Sequence, residues 1–381
     1  MANTNTLTNV IPQILAQGME VLRENCVMPR LVNTDYDDQA KEQGDSIDIP
    51  IAGSIAVNDV TPSYVAPDDT GVTPTKVTLE LDQWKEAPFF LTDKDVKNAM
   101  SGIIPLQAAE AVKKLATTVD AAILGLYKDV YSFAGTPGVT PFGTTMKEAT
   151  DANKLLSDNY ASKMDRRYVM NTSTEANALN LRPLMDASFS GDARAINDGQ
   201  IVHKLGLDWF MDQNMPTHLN GAQDSAYVVN GANALAAKTL AIKTGTGDIH
   251  KGDILTIAGD TQTYVVTTLD AGGASGVTLA ISPGLKIATS GNEVITFKGT
   301  LSTTYDQDLV FQRDAFVFAS RPLMDVNIAM DRTLYEMSDP ISGLSMRLEV
   351  KTQHKRTRFS FDILYGVLAA RPELACRVFG A

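Results

Sequence analysis

Four histidines, His203, His218, His250 and His354, are the residues from which a metal site or a general base could be built. Their spacing argues against it. No two stand four apart, the separation that puts a pair on one helical face to grip zinc. Each reads as an ordinary surface or core histidine. The two cysteines, Cys26 and Cys376, lie near opposite ends, so no disulfide framework is implied and a reducing compartment fits. No G-x-S-x-G elbow, P-loop, C-x-x-C pair or H-E-x-x-H helix occurs. Asp37-Asp38 and Asp68-Asp69 are paired carboxylates in polar stretches and read as solvated acids. Gly245-Thr246-Gly247 lacks the strand-turn-helix setting of a dinucleotide site and reads as a turn. Asn171-Thr172-Ser173 has the form of a glycosylation sequon, a chance match in a cytoplasmic chain. No catalytic, cofactor-binding or metal-ligating residue is expected, and no cofactor.

Charge placement says more. The segment 37–91 carries three lysines against eleven carboxylates, a net of −8 in a chain whose total is −12. The segment 347–358 holds Arg347, Lys351, Lys355, Arg356 and Arg358 against Glu349, a net of +4. Either these are two solvated faces, or they are complementary between subunits and steer docking and register. In the second case Asp59, Asp68 and Asp69 would meet Lys351, Lys355, Arg356 and Arg358. An acidic chain is poorly suited to gripping phosphates, since that affinity comes from Lys and Arg releasing counterions. The 381 residues are enough on length alone for two or three domains, and a hydrophobic share of 44% is ordinary for a packed globular protein. No apolar run approaches the roughly 18 residues of a membrane span. The first residues lack the basic-then-apolar pattern of a signal peptide, so the chain is expected to be made in, and to stay in, a cytoplasm.

The elements that must position these charges follow from periodicity. Residues 7–28 predict an amphipathic helix through Val10, Ile14, Leu15, Met19, Leu22 and Cys26, stopped by Pro29. Residues 46–57 and 76–82 alternate as strands, the first edge-like because Pro50 cannot donate to a ladder. Together they predict a long hairpin around the proline-bearing stretch 58–74. Such a hairpin is marginal alone, and no second sheet follows directly, so it is expected to project toward a partner subunit. Residues 103–131 give the strongest helical signal: Val112, Leu115, Val119, Ile123, Leu126 and Val130 recur at 3–4 spacing, a rod roughly 43 Å long. A mixed α/β stretch, 147–223, contains a helix near 147–158, a strand at Arg167–Asn171, a helix from about Ser173 and a strand over 201–211. Residues 224–303 hold 11 of the 27 glycines and short β runs at Ile254–Ile257, Tyr264–Thr268, Val277–Ile281 and Val294–Phe297. They predict a compact β-barrel set into another domain. From 304 the chain returns to strands at Leu309–Ala319, 344–351 and Arg358–Ala369.

This order of parts resembles the tailed-phage coat-protein fold, of the Hong Kong 97 type, and the inserted barrel narrows it to podovirus-type coat proteins. Asp198-Gly199-Gln200-Ile201, then Gly206-Leu207-Asp208 and Pro216, is similar to the family's approach to the insertion. Tyr365-Gly366-Val367, Ala369 and Arg371-Pro372-Glu373 are similar to its terminal strand motif, the most specific part of a likeness spanning nearly the whole chain. The chain is shorter than the family leads one to expect, mainly in the insert and its flanks, so contacts of insert loops are not carried over. The resemblance implies an α+β fold. Its parts would be an N-terminal arm (1–36), an extended hairpin loop (37–92), a peripheral domain with a spine helix (93–146) and an axial α/β domain (147–223). An inserted barrel (224–303) and a return to the axial and peripheral domains (304–381) complete it. It implies a major capsid protein, not an enzyme, building pentamers and hexamers of an icosahedral virion shell. It also implies an internal scaffolding protein, a portal at one vertex, expansion during packaging, and double-stranded DNA enclosed without tight binding. Two other classes remain open: a hydrolase, for which no convergent polar constellation is found, and a β-rich tail-fibre or adhesin subunit, which fits poorly with the long helix.

Overall fold

The computed structural model describes residues 26–36, 46–51, 62, 74–92, 103–186, 191, 194–268, 277–323, 332–338 and 344–381, with 103–106 and 332 described by backbone alone. Elements are numbered in chain order among these residues. The predicted helix 7–28 lies outside them up to residue 25, and its end is a 3₁₀ turn, Met28–Arg30, with Pro29 in its first turn.

The helix α1 (Ile103–Leu124) buries Ala108, Val112, Leu115, Ala116, Val119 and Ile123, the stripe its periodicity marks. It is shorter than expected, roughly 33 Å at about 1.5 Å per residue. Gly125 weakens the helix by about 1 kcal/mol relative to alanine, and the chain tightens there into a 3₁₀ turn, Gly125–Asp129, that turns Tyr127 inward.

One face of α1 lies against a sheet in which β18 (Arg356–Ala369) is central. Along β18, Phe359, Phe361, Ile363 and Tyr365 alternate into the core. Phe89 on β3 (Gln83–Thr92) stacks on Phe359 at 5.1 Å between centroids. β3 pairs antiparallel with β18 from Thr92↔Arg356 to Gln83↔Tyr365. β17 (Ser345–Gln353) and β15 (Phe316–Arg321) also pair with it, and β16 (Arg332–Ser338) continues the sheet from β17.

The base of the predicted hairpin forms, β1 (Ser46–Ile51) pairing with β2 (Thr75–Glu80) in the register Ile47↔Leu79 and Ile49↔Val77, while the rest of the expected first strand, 52–57, and the stretch 58–74 apart from residues 62 and 74 lie outside the described residues. Its base does not wait for a partner subunit. Ile47, Ile49, Leu79 and Leu81 pack on Val317, Ala319, Leu364 and Ala370 of the same chain. Gly366 allows this: a Cβ there would stand 2.3 Å from the Glu80 carbonyl oxygen, so the hairpin crosses β18 where β18 has no side chain.

A second sheet runs β4 (Phe133–Ala134), β19 (Ala375–Phe379), β14 (Thr304–Gln312), β5 (Arg166–Met170), β6 (Asp208–Met211), with β7 (Thr217–Leu219) also on β14. The run expected as one strand over Leu309–Ala319 is two. A 3₁₀ turn at Arg313–Ala315, capped by the Gln312 side chain accepting from the Asp314 N–H, passes the chain from β14 in this sheet to β15 in the other. The strand expected over 201–211 is only β6, because Leu205 and Gly206 both take positive φ in a turn closed between Lys204 and Leu207. Around this sheet lie α2 (Lys147–Asp158), α3 (Thr172–Asn180), α4 (Arg182–Met185) and α5 (Arg194–Asp198). Tyr168 and Trp209 stack at 4.8 Å in its core.

Residues 224–303 build a six-stranded sheet in the order β13 (Ile295–Phe297), β10 (Ile254–Ile257), β11 (Thr263–Val266), β12 (Val277–Ser282), β9 (Thr239–Lys243), β8 (Val228–Val229). Its end strands meet: Val229 N–H donates to the Glu293 carbonyl at 2.9 Å and Ile295 N–H to that of Tyr227 at 3.0 Å. The enclosed core is the sheet's own, including Leu240, Ile242, Leu255, Tyr264, Leu279 and Ile281.

Two predictions follow from this packing. The fragment 224–303 exceeds the roughly 40 residues below which chains need staples and keeps its core intact. Expressed alone it should give a dispersed amide spectrum and a cooperative melt; a non-cooperative one would assign its strands to a larger unit. The second concerns two buried acids. Asp120 accepts from the Val27 and Met28 N–H groups at 3.2 and 3.1 Å, tying the N-terminal segment to α1. Asp308 accepts from the Asn171 N–H at 2.9 Å and lies 3.3 Å from the Tyr168 hydroxyl. Burial pushes both up to about 7. The folded chain therefore binds more protons than the unfolded one between about pH 4 and 7, and the stability this gives is lost as pH rises through that window. Lowering pH from about 8 to 6 should stabilise the chain by about 1 kcal/mol for each acid, read as a shift in urea midpoint. Asp308→Asn should remove its share of that slope.

Candidate intersubunit face

Because side chains alternate across a strand, the residues of β18 that do not enter the core share its other face. Arg356, Arg358, Ser360 and Asp362 lie there, aligned through the register with Gln353, Lys351, Glu349 and Arg347 on β17. On β3 the same rows carry Thr92, Phe90, Pro88 and Glu86. The hairpin base covers the end of this face nearest Leu364.

Beside it, Arg347 and Asp362 form a buried pair, with Nε–Oδ1 at 3.1 Å and Nη2–Oδ2 at 2.5 Å, and Trp84 Nε1 donates to Asp362 Oδ2 at 3.2 Å. Arg347 is 7% and Asp362 5% exposed, so this cation is spent inside the sheet and adds nothing to a docking surface. Further along, Arg358 pairs with Glu86, which also accepts from the Ser360 hydroxyl. Part of the charge complementarity is thus met within one chain. Arg356 lies 4.7 Å from the centre of the Phe90 ring and donates through Nε to Gln353 at 2.6 Å. Lys351 is half-buried in the row between Arg332 and Arg358. Lys355 is exposed at the two-residue turn between β17 and β18 with φ +58°. That left-handed conformation costs a residue with a Cβ about 1 kcal/mol.

Asp59, Asp68 and Asp69 lie outside the described residues, so no contact with the basic end is seen. Of the acidic segment, Asp48 is held by Lys76 at 2.6 Å and Thr78 at 2.7 Å, and these hydrogen bonds hold its carboxyl below the usual range. Sequence reasoning missed Glu86, Trp84 and Asp362 as partners of this face; the matching alternation of β3 and β18 was the signal available.

His203 pairs with Asp208 at 2.7 Å on the surface, His354 is exposed in the β17–β18 turn, and His250 Nδ1 lies 3.0 Å from the Leu219 carbonyl. His218 alone of the four is buried. Asn171 caps α3, its side chain accepting from the Thr174 N–H at 2.7 Å, which gives the sequon-like triplet a structural role. Gly245 sits in a turn against the Tyr227 ring. A cleft of about 500 Å³ beside β6 brings together Glu175, Arg194, His203 and Asp208 with Met170 and Trp209, and no serine, threonine, cysteine or lysine is among its described lining. Among the described residues no three His, Cys, Asp or Glu side chains could hold a metal ion. No helix among them is long and apolar enough to cross a membrane.

The described architecture is a mixed α/β fold made mostly of strands, and it is similar to that of a solved phage structure. A chain of the Mycobacterium phage Che8 structure superposes with a TM-score of 0.55 at 16% identity, covering 93% of this chain and 90% of that one. The capsid of a native GTA particle gives 0.48 at 10% identity over 92% and 89%, and the capsid of Cyanophage P-SCSP1u 0.46 at 14% over 89% and 84%. No family model matches the sequence, and no curated protein does.

The Arg347–Asp362 pair yields a direct test. Removing one member of a buried pair strands its partner and costs about 3–5 kcal/mol, whereas an apolar replacement of both is close to neutral. Asp362→Ala should lower the unfolding free energy by about that amount, and Arg347→Met with Asp362→Leu should recover most of it in urea melts.

Proposed function

We propose that the chain is the major capsid protein of a tailed double-stranded-DNA phage. In this reading α1 is the spine of a Hong Kong 97-type subunit and residues 224–303 are its inserted β-barrel. The observation that carries it is the likeness to the Mycobacterium phage Che8 chain, which extends over nine tenths of both chains. The terminal motif adds support, since Gly366 within Tyr365-Gly366-Val367 is where the hairpin crosses β18. Copies of the chain would form pentamers and hexamers in the virion shell. Assembly would run in the host cytoplasm on an internal scaffolding protein with a portal at one vertex, and the shell would expand on packaging. A net charge of −12 suits a wall that encloses DNA without gripping it. The role is structural, with no catalytic step.

The exposed end of the β3–β18–β17 face serves in this reading as a docking surface for a neighbouring copy. Lys351, Lys355 and Arg356 are its cations, and Asp59, Asp68 and Asp69 of the neighbour's hairpin are the acids assigned to it. Arg358 contributes less, because Glu86 of its own chain engages it. Lys355 places a charge at a positive-φ turn position that glycine would adopt more easily.

Negative-stain microscopy of the expressed protein tests the reading: closed particles support it, while fibres overturn it. Exposed pairs are screened over a Debye length of about 10 Å at 0.1 M salt, so assembly should slow as salt rises. Lys355→Gly should leave the subunit as stable or up to about 1 kcal/mol more stable yet slow shell formation in light scattering. Reversing Lys351, Lys355 and Arg356 to Glu should slow it further, and Asp68→Lys with Asp69→Lys should partly restore it. Failure of rescue would leave the basic end a solvated face.

A further inference from the structure

Where the six-stranded unit meets the body, residues from several elements form one buried polar nest. His218 on β7 and Asp253, just before β10, bring Nε2 and Oδ1 to 2.9 Å, and the two residues are 3% and 1% exposed. On the other side of the imidazole the Tyr127 hydroxyl, from the 3₁₀ turn after α1, lies 3.0 Å from Nδ1. A neutral ring with its proton on Nε2 satisfies both contacts, donating to the carboxylate and accepting from the phenol. The second oxygen of Asp253 accepts from the N–H groups of His250 at 2.8 Å and Gly221 at 3.3 Å. Gly252 has φ +101°, and a Cβ there would stand 3.0 Å from His218 Cε1, so the loop presses backbone against the ring.

Arg377 on β19 supplies the cation. It is fully buried, donates through Nη2 to the Gly252 carbonyl at 2.5 Å, and stands 5.9 Å from the Tyr127 ring centre and 5.5 Å from that of Phe379. The carboxylate in contact with the imidazole is Asp253, and it also offsets Arg377. With His218 neutral the nest holds one negative and one positive charge. A proton on His218 would add a second cation beside Arg377, with Lys128 also near, where water cannot screen it. Burial first, then Arg377 and Lys128, hold the imidazole below its ordinary value, and Asp253 opposes them. Among the described residues, His250, Asp306 and the partly exposed Lys251–Asp129 pair at 3.0 Å also lie near this junction. Tyr127 is 2% exposed, so all three side chains are enclosed in the junction.

We propose that Tyr127, His218 and Asp253 form an acid-released latch. While His218 is neutral they fasten the 224–303 unit to the spine turn and to β7. One proton on His218 unbalances the nest and frees the start of β10 from both.

Hydrogen exchange on the intact chain reads the latch, after correction for the intrinsic pH dependence of amide exchange. Between about pH 7.5 and 5, the amides of Gly221 and His250 should lose protection about tenfold or more, while Leu255, Val265 and Val310 keep theirs. His218→Gln, which cannot take the proton, should exchange alike at both pH values. Labelled-histidine NMR of the unaltered chain should find His218 neutral with its proton on Nε2 near neutral pH, charging over the range in which exchange rises. That arm decides the matter even if His218→Gln fails to fold. Unchanged protection at both pH values, an acid response retained in His218→Gln, or an imidazolium at His218 near neutral pH would overturn the latch.

Discussion

The passage of the hairpin over β18 at Gly366 is the contact on which the body of the molecule depends. A backbone carbonyl at van der Waals range of the glycine lets Leu79 and Leu81 settle on Leu364 and Ala370. With the hairpin seated, the polar face of the sheet is divided into a covered end and an open one. The covered end is where Arg347 and Asp362 are dry enough to need each other; the open end is where Lys355 and Arg356 stay wet. Fully burying a leucine or phenylalanine gains about 1.5–3 kcal/mol, and β18 and β3 supply several such residues to the opposite face against α1. The same strand thus carries core packing on one side and charge on the other.

Electrostatics here are mostly local in space and remote in sequence. Arg358 and Glu86 are 272 residues apart, and Tyr127 and His218 are 91 apart, yet each pair sits on neighbouring backbone. The β3–β18 pairing brings the first pair together, and the 3₁₀ turn after α1, which sets the Tyr127 hydroxyl against β7, brings the second. Net charge by segment therefore overstates what is free to meet another molecule, because ladder pairing spends part of it inside the subunit.

Legibility followed the periodicities. Alternation across Ile47, Ile49, Leu79 and Leu81 marked the hairpin, and the 3–4 stripe marked α1, because each element has one covered face and one open face. Elements covered on both faces leave no such pattern. β19 is buried at all five positions, and the Leu309–Ala319 run is apolar on both sides of Gln312-Arg313-Asp314, the polar break at which the 3₁₀ turn divides it. The short β8 and β9 lie in a glycine-rich stretch whose turns masked their alternation. At the charged face, residue types were readable and partners were not, since partnership is set by register. His218 looked ordinary because its carboxylate and phenol come from other elements.

The way residues 224–303 leave and rejoin the body has an evolutionary reading. The chain departs from β7 and returns as β14, and these strands are paired, Leu219 beside Thr304 and His218 beside Tyr305. Exit and entry are thus held about 5 Å apart, the spacing of adjacent strands, whatever the chain does between them. A segment of any length or architecture can be spliced at that port without stretching the body, since lengthening a loop adds closure cost only logarithmically. The port makes this locus one where lineages could exchange, enlarge or lose a module while the surrounding sheets stay as they are.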